Sequence, residues 1–91
     1  MNLRELRNKI DRIDKTVVKL INERTKLVVQ IGRLKAKKKT GVYVPNRERE
    51  IYNRVTRLNK GPLPSKALKA IYREIMSGGK SCQRLSRQRS G

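Results

Sequence analysis

Arg24 and Lys35 are the residues whose placement asks for chemistry. Positions 6, 10, 13, 17, 20, 24, 27, 31 and 34 step by alternating fours and threes and carry Leu6, Ile10, Ile13, Val17, Leu20, Arg24, Leu27, Ile31 and Leu34. Eight of the nine are aliphatic, the stripe of one long amphipathic helix, and Arg24 interrupts it. An Arg on a buried seam is costly unless an anion or a carboxylate meets it. Lys35 follows eleven residues later, which at about 100° per residue brings it back to within roughly 20° of Arg24. The two cations look toward one interior, about 16 Å apart along the axis.

Four other side chains could join them. Arg7 lies about 25 Å before Arg24 on the same rod, turned by roughly 100°. It cannot share a small ligand with Arg24 within one helix; a second, antiparallel copy could deliver it, and read alone it is a solvated base beside Leu6. Glu48 precedes Ile51 by three residues and shares its apolar face. It reads either as a first-turn carboxylate favoured by the helix dipole or as an acceptor for a ligand hydroxyl. Arg47 is one more cation at that helix entrance. Gln83 is either an amide donor into a site or an ordinary polar residue near a helix end.

The composition excludes most other chemistry. The chain has no His and a single cysteine, Cys82. A zinc cluster and an internal disulfide are therefore ruled out, and a reducing, cytoplasmic setting is expected. No Ser/His/Asp set, activated cysteine, paired carboxylates or phosphate-cradling glycine loop is present. An enzyme built on this sequence must work without a nucleophile, a metal or a histidine base. The opening MNLRELRNKI carries charges every second or third residue, unlike a signal peptide or a spanning segment. With 25 Lys and Arg against 7 Asp and Glu, the net charge is +18, which favours anionic partners. Zinc-finger spacing, aromatic stacking motifs and a Gly-containing helix-turn-helix are all absent. The one dense basic run is Lys35, Lys37, Lys38 and Lys39, so nucleic-acid affinity is expected to be incidental.

The elements that must position these residues are helices. The first runs from Asn2 or Leu3 to about Lys39, with Gly41 as its stop signal. Its length of about 54 Å far exceeds the roughly 12 Å radius of gyration of a compact chain this size. The rest of the chain cannot cover it, so a homodimer is the expected minimum unit. Pro45 starts a second helix, with Asn46 as an alternative cap, and Ile51, Val55 and Leu58 form its face. Asn59 to Pro64 (NKGPLP) is a strong breaker. Ser65 then caps a third helix turning Leu68, Ile71, Ile75 and Cys82 inward, with Tyr72, Met76, Gly79 and Gln83 on a neighbouring stripe. Gly78 and Gly79 weaken it by roughly 1 kcal/mol each. Residues 1–84 make the domain, and 85–91 a frayed basic tail. The fold class is all-α: three helices per protomer, the first very long.

The segments LRELRNKIDRIDKTVVKLINER (3–24), LVVQIGRLK (27–35), VYVPNRE (42–48) and NKGPLPSKALKAIYREIMS (59–77) resemble the all-helical class of chorismate mutases. The order and gaps agree as well as the pieces. The resemblance implies an intertwined homodimer with two equivalent sites, each built from both chains. It also implies chorismate as substrate and prephenate as product, in the biosynthesis of aromatic amino acids, with no cofactor. In this resemblance Arg7 is the arginine lent across the dimer to one carboxylate, and Arg24 clamps the other from within the chain. Lys35 and Gln83 donate to the ether oxygen, Glu48 accepts from the ring hydroxyl, and Arg47 assists carboxylate binding.

Two positions depart from the family pattern. Val44 stands where an acid is frequent, leaving only its backbone N–H to serve a ligand. Gly79 stands where a small hydroxyl residue is frequent near the carboxylate, which removes a donor. After Ser77 the sequence departs furthest, consistent with lowered activity or with a chain once joined to a longer protein. A pyruvate lyase acting on isochorismate shares the fold and much of the cation set, so spacing does not separate the two. A non-catalytic regulatory module or a basic polyanion binder is the reading from outside enzymology.

Overall fold

The computed structural model describes residues 1–37 and 45–90. They form three helices, α1 (Leu3–Lys37), α2 (Pro45–Leu58) and α3 (Ser65–Ser90), and no strand occurs among the described residues. Asn2 caps α1: its Oδ1 accepts from the Glu5 N–H at 2.9 Å, and its carbonyl takes the first helical bond from Leu6 at 3.1 Å. Asn59 organises the breaker between α2 and α3. Its Oδ1 accepts from the Gly61 N–H at 3.0 Å, while its Nδ2 donates to the Leu63 carbonyl at 2.8 Å and the Ser65 Oγ at 3.2 Å. Gly61 holds φ +74° there, a conformation that glycine enters without a Cβ clash.

α3 is the middle helix. It packs against both α1 and α2, which do not meet each other among the described residues. Glu48 pairs with Lys80 while Ile51 and Val55 meet the Leu68–Met76 stretch, so α2 and α3 form an antiparallel hairpin. α1 runs parallel to α3: Arg24 meets Tyr72, Val28 meets Gly79, and Arg33 meets Ser86. The result is one layer of helices measuring 55 × 27 × 14 Å. A single layer covers each helix on one side only, whereas stable domains stack two layers around a core. Among the described residues, only Ile51, Val55 and Met76 form a buried hydrophobic core. The accessible surface is 7987 Å² for 10.6 kDa, against about 5,500 Å² for a compact monomer of that mass.

The uncovered surface is concentrated on α1. All eight aliphatic residues of its stripe, from Leu6 to Leu34, lie between 44% and 61% exposed. α3 instead covers the face carrying Ile21, Thr25, Val28 and Gly32. On a helical wheel Val28 and Gly32 sit about 40° and 80° to one side of Arg24, and Leu20 and Leu27 about 40° and 60° to the other. Arg24 thus marks the border between the face α3 covers and the stripe it leaves open.

Several expectations are corrected. Ile71 and Leu58, expected inward, are 46% and 68% exposed, and the buried positions of α3 are Met76 and Gly79 on the stripe beside it. The first bond of α3 runs from the Leu68 N–H to the Pro64 carbonyl at 3.1 Å, so Pro64 holds the cap and Ser65 the first helical position. α3 runs through Gly78 and Gly79 and extends as helix to Ser90. The expected end of the first helix at Lys39, its Gly41 stop and Val44 lie outside the described residues.

Candidate active site

Along the α3-facing edge of α1, Arg24, Val28, Gly32 and Lys35 follow one another in steps of four, four and three, which keeps them on one face. Arg24 and Lys35 are both half-buried. The Arg24 guanidinium carbon lies 6.0 Å from the centroid of the Tyr72 ring on α3, a cation–π contact at the outer limit of useful range. The contact places the guanidinium at the α1–α3 seam, and its planar fork of N–H donors is suited to a carboxylate. Lys35 closes the same face about three turns on.

Gln83 enters between them from α3. Its Nε2 donates to the Val28 carbonyl at 2.8 Å, and its Cγ, Cδ and Nε2 lie 3.1–3.3 Å from where a Cβ on Gly32 would be. Gly79, one turn earlier on α3, is buried against Val28, whose Cγ1 lies 3.3 Å from the place a side chain at 79 would begin. The direction in which a hydroxyl at position 79 would project is therefore taken up by Val28.

α2 adds the acid. Glu48 is half-buried and ion-paired with Lys80 of α3. Arg47, one residue earlier, pairs with Glu50 at 3.3 Å on the exposed side of α2. Arg7 is exposed near the start of α1, and about 25 Å of rigid helix separates it from Arg24. The chain thus brings together Arg24, Lys35 and Gln83 at the α1–α3 seam and Glu48 at the α2–α3 seam. It does not bring Arg7 to them. Among the described residues no group of acidic or thiol side chains gathers as a metal cage, and no helix is long and apolar enough to cross a membrane. A shallow groove lined by Glu50, Asn53, Thr56, Arg57 and Lys69 contains none of the candidate residues.

Three participants escape the sequence reading: Tyr72 under Arg24, Lys80 on Glu48, and Gly32 beneath Gln83. Gly32 had a readable signal. It is the one glycine in the 35 residues of α1, and a mid-helix glycine costs about 1 kcal/mol relative to Ala unless a close approach needs it. Lys80 had none, because one lysine among 25 basic residues has no distinguishing pattern.

Residues 6–84 match the family model described as chorismate mutase type II. Over 79 residues the chain is 51% identical to a bifunctional chorismate mutase/prephenate dehydratase of Aquifex aeolicus, covering 82% of this chain and 22% of that protein. It is 40% identical over 58 residues to a chorismate mutase of Methanocaldococcus jannaschii, covering 64% and 59% respectively. The fold is similar to that of chorismate mutase (form II) from Thermus thermophilus, with a TM-score of 0.85 at 30% identity over 90% of this chain and 93% of that one. The chain spans about a fifth of the length of the bifunctional relatives it matches.

Proposed function

The chain belongs to the chorismate mutase type II family, and from that premise we propose that it rearranges chorismate to prephenate in a site shared by two copies of itself. The observation that carries this reading is the half-buried Arg24–Gln83–Lys35 row at the α1–α3 seam, beside eight exposed aliphatic side chains. A second copy laid antiparallel on that stripe would cover it and bring its own Arg7 toward Arg24. The excess surface of roughly 2,500 Å² per protomer over a compact monomer is on the scale of an obligate dimer interface, about 2,000–5,000 Å² in total.

The rearrangement is pericyclic. Bonds reorganise within one molecule, so no group is transferred to the protein and no proton must move. The protein supplies conformation and field. Arg24 and the Arg7 of the second copy each hold a carboxylate, with Arg47 assisting once released from Glu50, and fold the extended dianion into its near-attack shape. Lys35 and Gln83 donate to the ether oxygen as its C–O bond stretches and negative charge grows there. Glu48, held by Lys80, accepts from the ring hydroxyl. The backbone N–H of Val44 is a further candidate donor, and Gly79 contributes close helix packing in place of a hydroxyl.

The test is the loss of chorismate ultraviolet absorbance on incubation with the protein, with isochorismate in a parallel reaction. Prephenate formed from chorismate supports the reading. Pyruvate released from isochorismate, with chorismate untouched, would assign the chain to lyase chemistry instead.

A further inference from the structure

We propose that Gly32 is a positioning residue for catalysis: the space left by its missing side chain, together with the Val28 carbonyl, fixes the Gln83 amide so that its second N–H faces the substrate. This rests on the proposed role of Gln83 as a donor to the ether oxygen. Two independent observations meet at this point. The Gln83 Nε2 donates to the Val28 carbonyl at 2.8 Å, and three atoms of the same side chain lie 3.1–3.3 Å from where a Cβ on Gly32 would be, closer than an ordinary contact allows without a shift of a few tenths of an ångström.

The geometry has a chemical consequence. A carbonyl oxygen only accepts, so contact with it fixes which end of the amide faces α1. The amide carries two N–H hydrogens on one planar nitrogen. With one committed to Val28, the amide plane is set and the other N–H has a single direction left. Lys35 stands one turn beyond Gly32 on the same face, so the remaining N–H and the ammonium can approach one oxygen atom from neighbouring places. A glutamine free to rotate would populate that direction only part of the time and would pay its ordering cost at each turnover. Gly79 plays a different part in the same crossing, because the atoms nearest its missing Cβ belong to Val28 and not to Gln83.

A Cβ at 32 meets Cγ, Cδ and Nε2 of the Gln83 side chain and not backbone, so Gly32→Ala is accommodated by displacement of Gln83. The helix itself gains from replacing an interior glycine. The variant therefore separates the two roles: thermal stability unchanged or raised, activity reduced. Misplacing a catalytic group by a fraction of an ångström to 1 Å costs on the order of 10- to 100-fold in rate.

The experiment is a double-mutant cycle on the full chain, measuring kcat and KM for chorismate and Tm in the wild type, Gly32→Ala, Gln83→Ala and the double variant. The expected result is a kcat reduced about tenfold or more by Gly32→Ala with KM little changed, and no further loss when Gly32→Ala is added to Gln83→Ala. In the wild type one Gln83 side-chain amide proton should exchange slowly with solvent, and Gly32→Ala should abolish that protection. If Gly32→Ala leaves kcat intact, or reduces it equally with and without Gln83, the inference is overturned while the role of Gln83 stands. If Gln83→Ala itself retains wild-type kcat, the reading of Gln83 as a donor fails, and the positioning role falls with it.

Discussion

Replacing Leu20 by Gln tests whether the open face of α1 is an interface between copies. Leu20 lies near the middle of the 35-residue helix and is 56% exposed. Complete burial of a leucine contributes about 1.5–3 kcal/mol, so covering the exposed half contributes about 1–1.5 kcal/mol in each chain. A two-fold symmetric dimer carries the substitution twice and loses at least about 2–3 kcal/mol. At 1.4 kcal/mol per decade this raises the dissociation constant by at least about thirtyfold. If the amides are also stripped of water without partners, each adds about 1–3 kcal/mol, and the total reaches on the order of 10³-fold or more. Gln is uncharged and a helix former comparable to Leu, so the +18 charge and the helicity of the chain are preserved. Sedimentation equilibrium at fixed salt reads the dissociation constant directly. Activity per protomer should become concentration-dependent over the same range, because the proposed site takes its Arg7 from the second copy. A wild-type chain that stays monomeric at tens of micromolar, or a Leu20→Gln chain that associates as tightly as wild type, would refute the reasoning.

Other outcomes follow from the same geometry. Arg24→Ala and Lys35→Ala should each lower chorismate turnover by about 10²-fold or more, the scale of a lost oxyanion donor, with the helical circular dichroism unchanged; retained turnover in both would falsify the site. Gln83→Glu donates a hydrogen bond only when its carboxyl is protonated, so its rate should rise as pH falls, where the wild-type amide donates throughout; a flat profile would count against contact with the ether oxygen. The Lys80–Glu48 pair is substantially exposed, at 52% and 34%, so Lys80→Met should cost less than about 1 kcal/mol of stability, a Tm change of no more than about 4–8 °C. A larger fall would mean that the pair is shielded in the assembled protein. Raising ionic strength from about 0.01 M to 0.15 M shortens the screening length from about 30 Å to 8 Å. KM for the dianion should rise while kcat holds, as expected for a protein of net charge +18; a salt-independent KM would show that only contact interactions matter.

The three helices and the breaks between them were readable because they depend on local terms: the recurrence of Leu6 through Leu34, the proline at 45, and the Gly61-Pro62-Leu63-Pro64 run. The cation pair was readable for the same reason, since Arg24 and Lys35 share one helix and their relation is fixed by its pitch. The inward face of α3 was not. Its two stripes, one with Ile71 and Ile75 and the other with Tyr72, Met76 and Gly79, are nearly equal in apolar content. Only the position of α2 and α1 against it decides that Met76 is buried and Ile71 exposed. Gly78 and Gly79 illustrate the same division. As propensities they weaken a helix, yet Gly79 lets Val28 approach while Gly78 meets nothing within 4 Å.

The sequence by itself therefore determined the all-helical class, a rod too long for its own chain to cover, and a row of cations looking off one face. Tertiary structure decided which residues those cations meet: Tyr72 beneath Arg24, Lys80 on Glu48, and Gln83 anchored to Val28 over Gly32. The physical reason is range. Pitch, capping and turn chemistry act over a few residues and can be read along the chain. Contacts between residues separated by 32 to 55 positions depend on how whole helices pack, and that is settled by shape and burial together, in three dimensions.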